Sequence, residues 1–207
     1  MPRYEVVYFD IRGRAEPIRL LLALAGQAFD DTRHAFDAWP VHKPTTPLGQ
    51  APVLVERDGT TELRIPQSQA ILRHLARVHG LYGATEAEHV ACDVVVETCG
   101  DLRQALAPLR FGPGANDPVA KQKFLTEALP DHLGRMRRLL AAGPKSGWFV
   151  AEAPTWADIT AFDTVEVLHG FEASSLADAP ELLAFADRMR AVPQIAAYLT
   201  ARAAANR

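Results

Sequence analysis

Tyr8 stands at the end of a run rich in β-branched and aromatic residues, "YEVVYF", with only Phe9 after it, and Arg14 follows within "DIRGRAEP", just ahead of a helical pattern. A phenol at a strand end, a guanidinium and a helix N-terminus would then meet at one point and face the same small ligand. The phenol is a neutral donor, because phenols with an ordinary pKa of about 10 stay protonated at neutral pH. The helix end offers unpaired N–H groups and positive potential, and the arginine adds charge. Trp39 and Lys43 share one face of a short second helix. "GQAPVL" places Gln50, Ala51 and Pro52 at the start of a further strand, and Gln67 and Ser68 open the next helix. A serine hydroxyl and backbone N–H groups at a helix start bind a carboxylate. Each residue alone has a plainer account: a half-buried strand tyrosine, a solvated lysine, a strand-start proline, a helix cap.

The elements that must position these residues fall into two halves. Residues 1 to about 78 alternate strand and helix. After "YEVVYF", Ile18, Leu21, Leu22 and Ala25 repeat at helical spacing, with Pro17 tolerated in the first turn. "QAFDDTRH" is a weaker strand. "APVLVER" and "TELRI" flank Asp58-Gly59 as a hairpin. "SQAILRHLARVHG" is a helix with Ile71, Leu72, Leu75 and Val78 on one stripe and Gly80 at its end. The order β-α-β-α-β-β-α implies a mixed sheet with helices packed on it.

From about Thr85 the pattern is all helical. Ala91, Val94, Val95, Thr98, Leu102, Leu106 and Leu109 mark one long helix, and a second runs from about Asn116 to Ala141. "PTWADITAFDTVEVLHG" opens on Thr155 and Asp158, which fit a capping box and a structural role. Two further helices begin at Pro180 and Pro193. The chain therefore divides into residues 1–79, a linker at 80–85, and residues 86–207.

The totals exclude several classes. The 207 residues are 48% hydrophobic and 23% charged, with a formal net charge of −3. There is no Lys/Arg run for nucleic acid, and no apolar stretch of membrane-spanning length. The start reads directly as a strand, and the expectation is a cytoplasmic protein. Cys92 and Cys99 would stand roughly 10 Å apart along a helix, too far for a disulfide. The histidines show no ligand pairing, so no metal is expected. Asp93, Glu97 and Asp101 form an acidic stripe with two readings, a cation site or, the plainer one, a solvated face whose repulsion water relieves.

The ordered set Tyr8, Arg14, Trp39, Lys43, Pro52, Gln67 and Ser68, followed by an all-helical half, resembles the cytosolic glutathione transferases over nearly the whole chain. The tyrosine-type classes are nearest, sigma in particular, with pi as neighbour. The resemblance implies a thioredoxin-like β-α-β-α-β-β-α domain followed by an all-helical C-terminal domain, in a homodimer. It implies glutathione as co-substrate, held by Trp39, Lys43 and Gln50 at its glycyl end. The backbone of Ala51, ahead of a cis Pro52, would pair with the cysteinyl part. Gln67 and Ser68 would take the γ-glutamyl carboxylate, and Asp101 of the partner subunit the amino group. Tyr8, aided by Arg14, would then hydrogen-bond the sulfur. A free thiol is only a few per cent thiolate at neutral pH, and one such bond contributes roughly 1.5–3 kcal/mol, or about one to two pKa units. Phe9, Ile11 and Gly13, with Arg103, Ala107, Pro108 and Phe111, would face a small hydrophobic electrophile.

Two departures stand out. Leu48 occupies the place of the aromatic key that relatives insert into the partner subunit, and no aromatic residue accompanies Pro108, which weighs against prostaglandin isomerisation. Conjugation of glutathione to apolar electrophiles is the expected activity. A ligand carrier or structural protein on the same fold, and a glutathione-dependent isomerase or peroxidase, are the alternatives. A glutaredoxin-like redox enzyme is rejected, because residues 8–14 hold no cysteine.

Overall fold

The computed structural model describes residues 2–115 and 117–205. The chain forms two compact units, one reaching Leu81 and joined by the stretch from Arg190 onward, the other spanning Tyr82–Met189.

The first unit is built on a four-stranded sheet in the order β2-β1-β3-β4. Its strands are β1 (Arg3–Phe9), β2 (Phe29–His34), β3 (Val53–Asp58) and β4 (Thr61–Pro66). β2 lies parallel to β1, with Tyr8 opposite Arg33, and β3 lies antiparallel to it, with Val7 opposite Val53. β3 and β4 are the expected hairpin. Val6, Val7 and Tyr8 of β1 are all buried, as befits a central strand whose two faces are both covered. The unit also contains α1 (Glu16–Leu24), the one-turn α2 (Trp39–His42), α3 (Ser68–Val78) and the C-terminal helix α9 (Pro193–Ala204).

Helix α1 is buried along its whole first two turns, from Glu16 to Leu22. A helix buried on every face is ordinarily apolar throughout. Here Glu16 and Arg19 break the rule and pair with each other at 3.4 Å. In α3 the stripe Ile71, Leu72 and Leu75 is buried, whereas Val78, expected to continue it, is half exposed at the helix end. Residues 190–205 group with the sheet because α9 docks on α1 through Tyr198 and Arg202, both bonded to Glu16.

The second unit contains α4 (Glu86–Phe111), α5 (Pro118–Lys123), α6 (Leu129–Ala142), α7 (Trp156–Phe171) and α8 (Pro180–Ala191). Thr85 caps α4, its hydroxyl accepting from Glu88 N–H at 3.2 Å. The core stripe of α4 is Cys92, Val95, Val96, Cys99, Leu102 and Leu106. It is rotated from the expected stripe, which leaves Val94 half exposed. Burial pushes the free thiols up, Cys92 to about 11 and Cys99 to about 12, so both are inert. The helix runs through Pro108 and ends a turn later. The single helix expected over 116–141 is instead α5 and α6 joined by a π turn, Phe124–Ala128. Pro130, in the first turn of α6, has no N–H to continue the ladder from α5. The expected start at Asn116 lies outside the described residues. Thr155 and Asp158 form the expected capping box, and Asp158 Oδ1 also accepts from Phe149 N–H at 2.8 Å.

Candidate active site

The ends of β1, β3 and β4 and the start of α3 surround a cavity of about 500 Å³ in the first unit. Arg14, Trp39, Gln50, Ala51, Pro52, Gln67 and Ser68 line it, together with Phe9 and Gly49. Local folding explains how each wall is presented. β1 ends at Phe9, and the chain turns through Gly13, whose φ of +45° suits a residue without a β-carbon. A β-carbon there would lie 2.7 Å from both the Tyr8 hydroxyl and its ring. That absence lets the turn close onto the phenol, and Arg14 N–H donates to the Tyr8 oxygen at 3.2 Å. The phenolic oxygen thus has an acceptor position filled, and its own proton is left to donate.

Two backbone features shape the opposite wall. The Ala51-Pro52 bond is cis, and β3 begins only at Val53, so Ala51 lies outside the sheet ladder at the cavity edge. Gln67 adopts φ +70°, uncommon for a residue with a side chain, directly at the N-cap of α3. Its amide donates to Gln50 Oε1 at 3.1 Å and joins two walls of the cavity. Ser68, in the first turn of α3, is buried at the cavity floor. Gln67 and Ser68 thus bring the N-terminus of α3 to the cavity, and among the described residues the Gln67 side chain makes no cap hydrogen bond there.

The third wall is aromatic. Phe9 meets Tyr8 edge-on at 5.2 Å and Trp39 at 5.0 Å, and stacks on Phe36 at 4.6 Å. The imidazoles of His34 and His42 stack at 3.6 Å and tie α2, which carries Trp39, to the end of β2. Lys43 does not line the cavity; its aliphatic stem passes beside Gly49, 3.4 Å from where a β-carbon would sit.

Sequence reasoning did not single out Gly49, although its φ of +62° in the turn before Ala51 makes glycine the natural residue there. Phe9, assigned to the electrophile wall, lines this cavity as well. Asp101 lies exposed on α4 with Arg135 at 4.0 Å. Arg103, expected to face the electrophile, ion-pairs with the buried carboxylate of Asp163. Of its neighbours, Ala107 is half-buried, while Pro108 and Phe111 are exposed. Among the described residues no group of three or more His, Cys, Asp or Glu side chains could hold a metal ion. No helix of the described residues is long and apolar enough to cross a membrane.

A thioredoxin-like domain on a four-stranded mixed sheet and a second, helical unit together form the architecture of glutathione-using transferases. The family model of the glutathione S-transferase N-terminal domain matches residues 4–77, and that of the C-terminal domain matches residues 100–202. Hematopoietic prostaglandin D synthase of Gallus gallus is 39% identical over 207 residues, covering 98% of each chain. Among solved structures, the sigma class enzyme of Fasciola hepatica aligns with a TM-score of 0.90 at 29% identity, covering 97% of each chain. The pi-class glutathione S-transferase of Onchocerca volvulus aligns with a TM-score of 0.88 at 32% identity, covering 98% of this chain and 95% of that one. The chain belongs to the glutathione S-transferase family, whose members use glutathione as co-substrate.

Proposed function

We propose that the protein conjugates glutathione to small hydrophobic electrophiles, with the Tyr8 hydroxyl stabilising the attacking thiolate. The observation that supports this reading is the bond to the Tyr8 oxygen from the N–H of Arg14, a residue that lines the cavity; Tyr8 itself is buried and is not among the lining residues. It leaves the phenolic proton as a donor to a sulfur anion, while exposed Arg14 adds positive potential. The thiol proton leaves to solvent. The sulfur lone pair forms a bond to the electrophilic carbon, and the leaving group departs with its electrons. Binding also orders both reactants, which lowers the entropic part of the barrier.

In this reading Trp39, Lys43 and Gln50 hold the glycyl end of glutathione. Ala51 pairs with its cysteinyl backbone, and Gln67 and Ser68 accept the γ-glutamyl carboxylate at the N-terminus of α3. Phe9, Ile11 and Gly13 meet the electrophile. For Arg103, Ala107, Pro108 and Phe111 the same role is proposed and is tested by substituting each. The steady-state rate with an activated aryl chloride tests the reading. Tyr8→Phe lowers kcat/KM about tenfold or more, and an unchanged value rejects the mechanism.

The protein is further proposed to act as a cytoplasmic homodimer. Exposed Leu48 is the plug, and an apolar cavity of about 380 Å³ between Ala91, Val94, Leu139, Ala142 and Phe149 is the partner's socket. Asp101 of the partner subunit would then reach the amino group of glutathione.

A second reading has its own support in the 39% identity to a hematopoietic prostaglandin D synthase. An isomerase would use the same thiolate. The sulfur bonds to one peroxide oxygen as the O–O bond breaks, and the other oxygen takes a proton to become the alcohol. Loss of the C–H proton beside the sulfur-bound oxygen forms a carbonyl and expels the thiolate unchanged. Turnover of a cyclic endoperoxide, measured beside aryl chloride conjugation, separates the two.

A further inference from the structure

We infer that Glu16 and Arg19, clamped by Tyr198 and Arg202 of the C-terminal helix, are positioning residues that set the turn holding the Tyr8 hydroxyl. The inference rests on the proposed role of Tyr8.

Arg19 and Glu16 are both 0% exposed. Arg19 Nε donates to Asp31 Oδ1 at 2.9 Å. Its Nη1 faces three acceptors: Ile11 O at 3.1 Å, Arg12 O at 3.3 Å and Glu16 Oε2 at 3.4 Å. A guanidinium Nη carries only two hydrogens, so the three acceptors compete for them. The two carbonyls belong to the turn that leads directly into Gly13 and the Arg14 N–H on which the Tyr8 oxygen rests. Arg19 is thus the internal mould of that turn. Its other end is pinned by Asp10 N–H to His34 O at 3.1 Å, and by the Asp10 carboxylate on Arg33 at 3.2 Å.

The competition is settled from outside the turn. Glu16 Oε1 accepts from Tyr198 Oη at 3.1 Å and from Arg202 Nη1 at 2.5 Å. A buried carboxylate demands full compensation by donors. With two donors from α9, Glu16 draws weakly on Arg19, and the guanidinium stays on the carbonyls of Ile11 and Arg12. Without them, Glu16 draws harder on the Arg19 guanidinium, whose buried Nη2 has no hydrogen-bond partner among the described residues. The rotation that brings Nη2 to Glu16 takes Nη1 off the two carbonyls, so the turn loses its mould. The C-terminal helix therefore acts on the hydroxyl without touching the cavity.

The test is the pH profile of kcat/KM for glutathione conjugation to an activated aryl chloride. It is measured well below the melting temperature in Tyr198→Phe, Arg202→Gln, Arg202→Lys and the double variant Tyr198→Phe/Arg202→Gln. The expected result is a rise of the apparent thiol pKa by about half a unit or more in the double variant. Its kcat/KM at mildly acid pH falls about three- to tenfold, the glutathione KM changes less than about twofold, and Arg202→Lys restores most of the profile. If the double variant fails to fold, Tyr198→Phe alone carries the test, with a smaller shift of the same sign. Profiles that superimpose on wild type, whatever the melting temperatures do, overturn the inference. Tyr8→Phe runs in parallel. A strong effect there with silent α9 variants rejects the clamp alone, whereas a silent Tyr8→Phe rejects the thiolate mechanism itself.

Discussion

The Arg14 amide donates to the Tyr8 hydroxyl oxygen across 3.2 Å, and Gly13 makes the approach possible. A methyl group at residue 13 would fall 2.7 Å from that oxygen while holding a left-handed backbone. Gly13→Ala is therefore expected to cost about 1–2 kcal/mol of stability and to displace the phenol. Conjugation falls much further than glutathione affinity does, because the sulfur loses its donor and the rest of the tripeptide keeps its contacts. Steady-state kinetics with isothermal titration of glutathione separates the two effects. Equal losses in both contradict the role of the turn.

Ser68 sits buried in the first turn of α3, below the strained Gln67. Its hydroxyl donating to a carboxylate is a charge-assisted bond, contributing about 1.5–3 kcal/mol. Ser68→Ala is expected to raise the glutathione Kd about tenfold or more with kcat nearly unchanged at saturation. Unaltered affinity places the carboxylate elsewhere.

Acid should loosen the His34–His42 stack. The His34 pKa is lowered, first by burial and then by His42, with Glu5 acting in the opposite sense. The unfolded chain takes up this proton near pH 6.5, while the folded chain resists until lower pH. Over that interval the unfolded state binds more protons, so this contribution to stability, present above about pH 6.5, is lost as pH falls. In His42→Phe the ring contact stays and the neighbouring charge is gone. Thermal melts across this range are expected to show a smaller acid-side loss in the variant, and identical slopes refute the coupling.

Leu48, 57% exposed in the first unit, is the proposed plug for a partner's apolar socket. A carboxylate in an apolar socket costs several kcal/mol, so Leu48→Asp is expected to convert a two-chain particle into one chain in sedimentation equilibrium. Asp101→Asn is expected to raise the glutathione KM with the sedimentation profile unchanged. Retention of the two-chain mass by Leu48→Asp removes the plug from the account.

The sequence reveals the mixed sheet and the helical half because their signals are local. β-branched runs, the Asp58-Gly59 turn and the Thr155–Asp158 capping box each act within a few residues. The cavity walls are legible for the same reason, since strand starts and helix starts announce where Ala51, Pro52, Gln67 and Ser68 stand. What escapes is long-range. Nothing in the helical spacing of Ile18, Leu21, Leu22 and Ala25 singles out Glu16 and Arg19, yet both are fully buried, and the contact from Tyr198 to Glu16 spans 182 residues. No periodicity encodes a partner that far away. The rotated stripe of α4 is hidden because Ala, Val and Cys pack on either side of a helix face, and the π turn because Pro130 interrupts the N–H ladder without interrupting the helical spacing.

Titration of the glutathione thiol in the enzyme complex, followed by thiolate ultraviolet absorbance, tests the role of Tyr8 most directly. The account predicts a midpoint about one to two units below the ordinary thiol value of about 8.5 in the wild type, moving back toward it in Tyr8→Phe. The same midpoint in both proteins, with glutathione bound in both, contradicts it.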